Sequence, residues 1–156
     1  MAHDAPPPPP PPPSPPSPPE GDGLTDSLIG LFREIDALFS AASRSQGLTP
    51  QQAQLLCFAQ HMTPSFGELA RLLHCDKTNV TGLVDRLERR GLLTREPDPH
   101  DRRLSRVHLT TDGAALTAAF QQVVDSSLAG RFTGWTAEQR AGLLPLLRAA
   151  TTALRG

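Results

Sequence analysis

EPDPHDRRLSR, residues 96–106, sets six formally charged residues and two prolines between two apolar alternating stretches. LLTRE (92–96) lies before it and SRVHLT (105–110) after it, with Val107 and Leu109 falling on one face and Arg106 and His108 on the other. A period of two predicts a pair of strands. Between them DPHD (98–101) carries the marks of a type I turn, Asp98 first and Pro99 second. Pro97 and Pro99 have no N–H for a ladder, so pairing is expected to stop there and the tip to project. The result is a hairpin whose tip carries His100, Arg102 and Arg103.

Immediately upstream stands CDKTNVTGLVDRLERRGLL, residues 75–93. Asp76 is a helix N-cap, Val80, Leu83, Val84 and Leu87 form one apolar stripe, and Gly91 occupies the place of a left-handed C-cap. SFGELARLLH (65–74) precedes it as a short helix opened by a Ser65/Glu68 capping box. Two such helices separated by about three residues match a helix-turn-helix. Opposite the stripe lie Thr78, Gly82, Asp85 and Arg89, with Thr81 and Arg86 beside them and Lys77 and Asn79 in the first turn. Solvent-facing helices favour Glu, Lys and Gln, whereas threonine, asparagine and glycine are poorer helix formers. Small hydrogen-bonding side chains suit contact with base edges, and Gly82 lets the backbone approach a groove wall. Cap residues with one tolerated glycine would give the same pattern. A projecting arginine hairpin directly after a helix-turn-helix makes a winged helix, whose wing can place arginine in a minor groove of negative potential. The blander role for the hairpin is solubility alone.

Further out, Leu24, Leu28, Leu31, Phe32, Ile35, Leu38 and Phe39 recur at helical spacing and predict a helix over 24–45 that Gly47 ends. LTPQQAQLLCFAQ (48–60) opens another with a Thr49/Gln52 capping box and Pro50 at the first helical position. After the hairpin, residues 111–132 and 135–155 predict two further helices, the second with a Thr136/Gln139 capping box and an internal Pro145 that should kink it. The order is four helices, a hairpin, two helices: a mainly α fold with a small β wing.

Composition narrows the function. The chain has 156 residues, enough for one domain plus extras, and residues 6–23 (PPPPPPPPSPPSPPEGDG) read as a disordered polyproline tail over 1–23. Such a tail can dock an SH3-like partner or merely solubilise. The net charge of −1 is uneven: residues 71–106 hold nine basic and six acidic residues, the remainder six and ten. A basic segment within an acidic remainder fits an anionic partner met by one surface. Two cysteines make no disulfide framework, no basic-then-apolar signal segment opens the chain, and no run reaches the ~18 apolar residues of a membrane span. The expectation is a soluble cytoplasmic protein with no membrane partner. No nucleophile–base set, phosphate loop or carboxylate pair suggests an enzyme, and no Cys/His/Asp/Glu grouping has metal-ligand spacing, so neither metal nor cofactor is expected.

With its hairpin and flanking helices, NVTGLVDRLERRGLLTREPDPHDRRLSRVHLTTDGAAL (79–116) resembles the MarR family of bacterial transcriptional regulators, over residues 24–155. The recognition-helix block, the DxxDRR wing and the following L-T-x-x-G carry the likeness jointly. The resemblance implies a homodimeric repressor on a pseudopalindromic operator in double-stranded DNA, released by a small aromatic ligand. The DNA-binding lobe would span about 48–110, and helices 24–46 and 111–155 would form the dimer interface; their strong apolar stripes agree. DNA contacts would come from Lys77, Thr78, Asn79, Thr81, Gly82, Arg86, His100, Arg102 and Arg103. Family pattern further suggests that Asp85 pairs with Arg103 and so holds the wing against the recognition helix, that Asp101 also orients the wing, and that Arg102 is the freer arginine. Phe58, His61, Phe66 and Trp135 are candidates to line a ligand pocket, or are core aromatics. Cys75, before the recognition-helix cap, and Cys57 are candidates for redox sensing, or are packing residues. A winged-helix protein-interaction module that binds no DNA is the alternative of a different class.

Overall fold

In a computed structural model the described residues are 23–155; the proline tail, apart from Gly23, and Gly156 lie outside them. The element order is α1 (Leu24–Ser45), α2 (Pro50–His61), α3 (Phe66–Leu72), α4 (Lys77–Arg89), β1 (Leu93–Pro97), β2 (Ser105–Leu109), α5 (Thr111–Arg131) and α6 (Ala137–Arg155). The chain divides within α1 into two units, one ending at Glu34 and the other starting at Ile35. In the first, the described residues are the opening turns of α1, on which Leu24, Ile29, Leu31 and Phe32 are exposed.

The second unit is organised by local signals that each satisfy backbone groups. Thr49 and Gln52 cap α2 reciprocally, as do Ser65 and Glu68 for α3, and the Asp76 carboxylate accepts from Asn79 N–H at 2.8 Å to start α4. Thr136 and Gln139 exchange the same pair of bonds before α6. Three helices end alike. Gly47, His74 and Gly91 have φ of 65°, 49° and 72°, and in each case the next residue's N–H donates back five residues: Leu48 to Ser43, Cys75 to Ala70, Leu92 to Leu87. These are Schellman caps, in which glycine is the usual left-handed residue. His74 is the one non-glycine of the described residues with positive φ.

The core forms where the apolar stripes meet. Val80, Leu83, Val84 and Leu87 of α4 are all buried, together with Leu55 and Leu56 of α2, Leu69 of α3, Leu93, Val107 and Phe120. Phe39 packs edge-on against Phe120, ring centroids 4.9 Å apart. β1 and β2 pair antiparallel in the register Leu93↔Leu109 to Pro97↔Ser105. Pairing therefore includes Pro97, one residue beyond the expected stop. Asp98 N–H donates to Leu104 C=O at 2.9 Å, which makes 98–104 a hydrogen-bonded pair and leaves Pro97 at the adjacent non-bonded position, where its missing N–H costs no ladder bond. Ser65 adds an isolated bridge to Arg106, and Val107 N–H donates to Pro64 C=O at 3.0 Å.

The L-T-x-x-G motif has a mechanical basis. Thr110 Oγ1 accepts from Gly113 N–H at 3.0 Å and donates to Gly91 C=O at 2.7 Å. It thus caps α5 and ties it to the end of α4. A Cβ on Gly113 would come within 2.0 Å of the Leu92 carbonyl oxygen, so only glycine permits this approach. α6 contains Pro145 within its length and buries no residue, leaving Leu144, Leu146, Leu147 and Leu154 exposed.

Candidate nucleic-acid interface

The outer face of α4 and the wing tip present the predicted polar residues. Lys77, Thr78, Asn79, Thr81 and Arg86 are exposed, and Gly82 is half-buried. Thr81 Oγ1 donates to Lys77 C=O at 2.9 Å, and Asn79 Nδ2 to the Asp76 carboxylate at 3.0 Å. Arg86 folds back, its Nε donating to Gly82 C=O at 2.8 Å. A Cβ at Gly82 would meet only that guanidinium, at 3.1 Å. The glycine thus leaves room for the folded-back Arg86 side chain. A hollow of about 440 Å³ is lined by Lys77, Thr78, Thr81, Gly82 and Asp85. Asn79 and Arg86 border a second, with Thr49, Pro50 and Gln51 of the α2 start. The expected face is therefore split, Asn79 bordering the α2 start and Thr81 a groove shared with Arg103, Leu104 and Ser105 of the wing.

At the wing tip His100, Asp101, Arg102 and Arg103 are exposed. Asp98 organises the turn from within: its buried carboxylate accepts from His100 N–H at 2.7 Å and Asp101 N–H at 3.0 Å, and pairs with Arg106 Nε. These contacts, His100 N–H foremost and Arg106 next, hold the Asp98 carboxyl down to about 2. Asp101 accepts from Arg103 N–H at 3.0 Å, and its carbonyl from Leu104 N–H at 2.9 Å. Asp101 thus shapes the turn through backbone contacts. Among the described residues neither Arg102 nor Arg103 forms an ion pair.

The expected Asp85–Arg103 pair does not form. Asp85 pairs with Arg95 of β1, which also reaches Glu88 at 2.9 Å. The chain reverses at Gly91, so residues just after that turn run beside the C-terminal half of α4, while Arg103 lies beyond the paired strands. Arg106, by its alternation only the outward residue of a strand, is a junction. Besides Asp98 it meets Glu68 at 3.6 Å and donates from Nη1 to Thr63 C=O at 2.7 Å. Glu68 is held below the ordinary carboxylate range, first by the Ser65 backbone N–H and hydroxyl and then by Arg106.

The four aromatic and imidazole candidates for a ligand pocket are not gathered. Phe58 lines a cavity of about 630 Å³ with Met62, Leu72, Glu68, Arg71, His74 and Arg155. Phe66 lies elsewhere, bordering a groove with Lys77, Thr81, Arg95 and Arg103; Trp135 packs edge-on to Phe132 at 4.9 Å; His61 is exposed at the end of α2. Burial pushes the Cys57 thiol up, the direction opposite to a reactive thiolate. Cys75 is half-buried. Among the described residues no group of three His, Cys, Asp or Glu is placed to hold a metal, and no helix is long and apolar enough to cross a membrane.

This arrangement has known counterparts. Residues 46–104 match the model of the MarR family. The chain is 34% identical to the HTH-type transcriptional repressor NicR of Pseudomonas putida over 117 residues, 72% of each chain. Its fold matches wild-type MarR from Escherichia coli without ligand, with a TM-score of 0.73, 29% identity, and coverage of 81% of this chain and 95% of that one. It also matches Bordetella bronchiseptica BpsR, a protein whose DNA binding is regulated by 6-hydroxynicotinic acid (TM-score 0.65, 27% identity, 82% and 92% covered). A winged helix-turn-helix carrying this recognition-helix block, DxxDRR wing and L-T-x-x-G junction, with such relatives, belongs to the MarR family of transcriptional regulators.

Proposed function

We propose that the protein is a homodimeric repressor that binds a pseudopalindromic operator in duplex DNA through α4 and the wing, and lets go when it takes up a small aromatic carboxylate. One observation carries the DNA reading: the exposed polar residues of α4 from Lys77 to Arg86 together with Arg102 and Arg103 of the wing, neither of which has a carboxylate partner among the described residues. A cation held near the surface with no ion pair is available to phosphate. The dimer is supported by the exposed leucines of α6 and the exposed apolar residues that open α1, since contiguous exposed apolar surface marks an interface. Kinship with NicR, itself a repressor, supports repression.

The effector reading rests on the Phe58 cavity, whose volume of about 630 Å³ suits a small organic molecule. Its lining offers an aromatic ring and a thioether for a flat apolar body, and Arg71 and Arg155 for a carboxylate. The compound that regulates BpsR, a hydroxylated pyridine carboxylic acid, is of this class. The test is selection of duplexes from a random pool by the purified protein, followed by titration with a panel of benzoic and pyridine carboxylic acids. An enriched two-fold symmetric sequence, and its release by panel members in the parent but not in Arg71→Ala, are expected. No enrichment refutes DNA recognition. Enrichment with no release by any acid refutes the effector class.

A further inference from the structure

The wing is tethered on both of its faces by one arginine each, and of the two only Arg95 reaches α4. Arg106 ties β2 to α3 and to the strand-like segment before it, through Glu68 and the Thr63 carbonyl. Arg95, from the middle of β1, reaches α4. Its Nη2 meets Asp85 and Glu88, which lie three residues apart on one face of that helix. The same guanidinium lies over the Phe66 ring at the start of α3, 5.4 Å from the centroid, within cation–π range. Its Nε is buried without a hydrogen-bond partner, so packing against Phe66 and the two carboxylates fixes where this side chain sits. Among the described residues no other polar side-chain contact joins the hairpin to α4.

We infer that Arg95 is a positioning residue, setting the distance and angle between the wing arginines and the exposed face of α4 so that DNA meets both as one surface. This rests on the DNA-binding reading above. Removing Arg95 would do two separable things. It would free the wing to move relative to α4, and it would leave Asp85 and Glu88 without a counter-ion beside a surface meant for phosphate. A third role, direct contact between Arg95 and phosphate, is also distinguishable, because only that role removes a counter-ion release event.

The experiment compares the parent, Arg95→Met, Arg95→Lys and the triple variant Arg95→Met/Asp85→Asn/Glu88→Gln. Each is titrated against the duplex selected by the parent, at several salt concentrations, and amide hydrogen exchange is followed in the DNA-free proteins. Arg95→Met is expected to bind about tenfold more weakly, with the parental salt slope and faster exchange over residues 98–105 while α5 is unchanged. Arg95→Lys should recover part of the loss, keeping the charge without the planar fork. The triple variant should stay weak, because neutral partners restore no clasp. Recovery of parental affinity by the triple variant would show that bare carboxylates caused the loss, and would sink the proposal. A salt slope shallower by about 0.9 in Arg95→Met would assign direct contact instead. Unchanged exchange at the wing overturns the inference whatever DNA does. If the pool yields no enriched duplex, the DNA-binding reading fails, and wing exchange alone decides whether Arg95 is a clasp.

Discussion

Gly113 is the residue whose identity is most tightly dictated. A methyl group there would sit 2.0 Å from the Leu92 carbonyl oxygen, and that oxygen also accepts from Thr110 N–H, so neither side can yield cheaply. Gly113→Ala should destabilise the fold by about 2–4 kcal/mol, read as a lower urea midpoint, with the larger loss if the α5 start must shift. Gly91→Ala, a left-handed cap with open space around it, should cost only about 1–2 kcal/mol, the strain of the backbone itself. The wing arginines make a second prediction. With Asp85 occupied by Arg95, Arg102 and Arg103 are both exposed and neither forms an ion pair among the described residues. Arg102→Ala and Arg103→Ala should each weaken operator binding by about 1–3 kcal/mol per contact, and each should flatten the salt slope by about 0.9 for every phosphate it no longer neutralises. Titration of both variants at three salt concentrations decides it; a loss for one arginine only would restore an unequal division between them.

At the scale of elements, legibility follows the range of the interactions. The capping boxes of α2, α3 and α6 and the cap of α4 are written within four consecutive residues. The apolar stripe of α4 and the alternation of the strands are equally local, and all of these are legible in the amino-acid sequence alone. Partner choice is not. Asp85 has several arginines within plausible reach, and only the reversal at Gly91 decides that β1 lies alongside. The Arg106 junction joins residues 43 apart, with no local pattern to announce it. The His74 cap escapes a sequence rule that looks for glycine or asparagine in that place. The wing as an element carries a pH prediction. Asp98 is drawn from 3.8 down to about 2, so its folded-state contacts favour the ionised form. Their contribution is fully present above 3.8 and is lost as pH falls through about 2. Asp98→Asn should therefore lie below the parent in stability at neutral pH, with the gap closing as the buffer is taken from 3.8 toward 2. Chemical denaturation across that range is the measurement, and a gap independent of pH would contradict it.

For the whole molecule, the fold class is legible because the order of elements and the wing motif constrain each other, whereas how much surface each helix hides is not. α6 shows why: 19 residues long, it buries none of them. A helix that buries so little of itself within its own chain stays near its isolated stability, which is marginal at this length. If the proposed dimer covers it, the ratio of covered to uncovered helix rises in proportion to the free protomer concentration. Light scattering should then give twice the monomer mass at micromolar concentration, and exchange protection over 137–155 should fall on dilution while that over α4 persists. A monomer whose α6 is equally protected at every dilution would exclude it. Inside a cell, such a dimer would make the regulator's own abundance a threshold. Copies made faster than they meet would leave α6 frayed and open to proteases, while paired copies would be spared. Transcript level would thus translate into lasting repressor only above a threshold, so that a small change in synthesis switches the amount of durable protein, even with the effector absent.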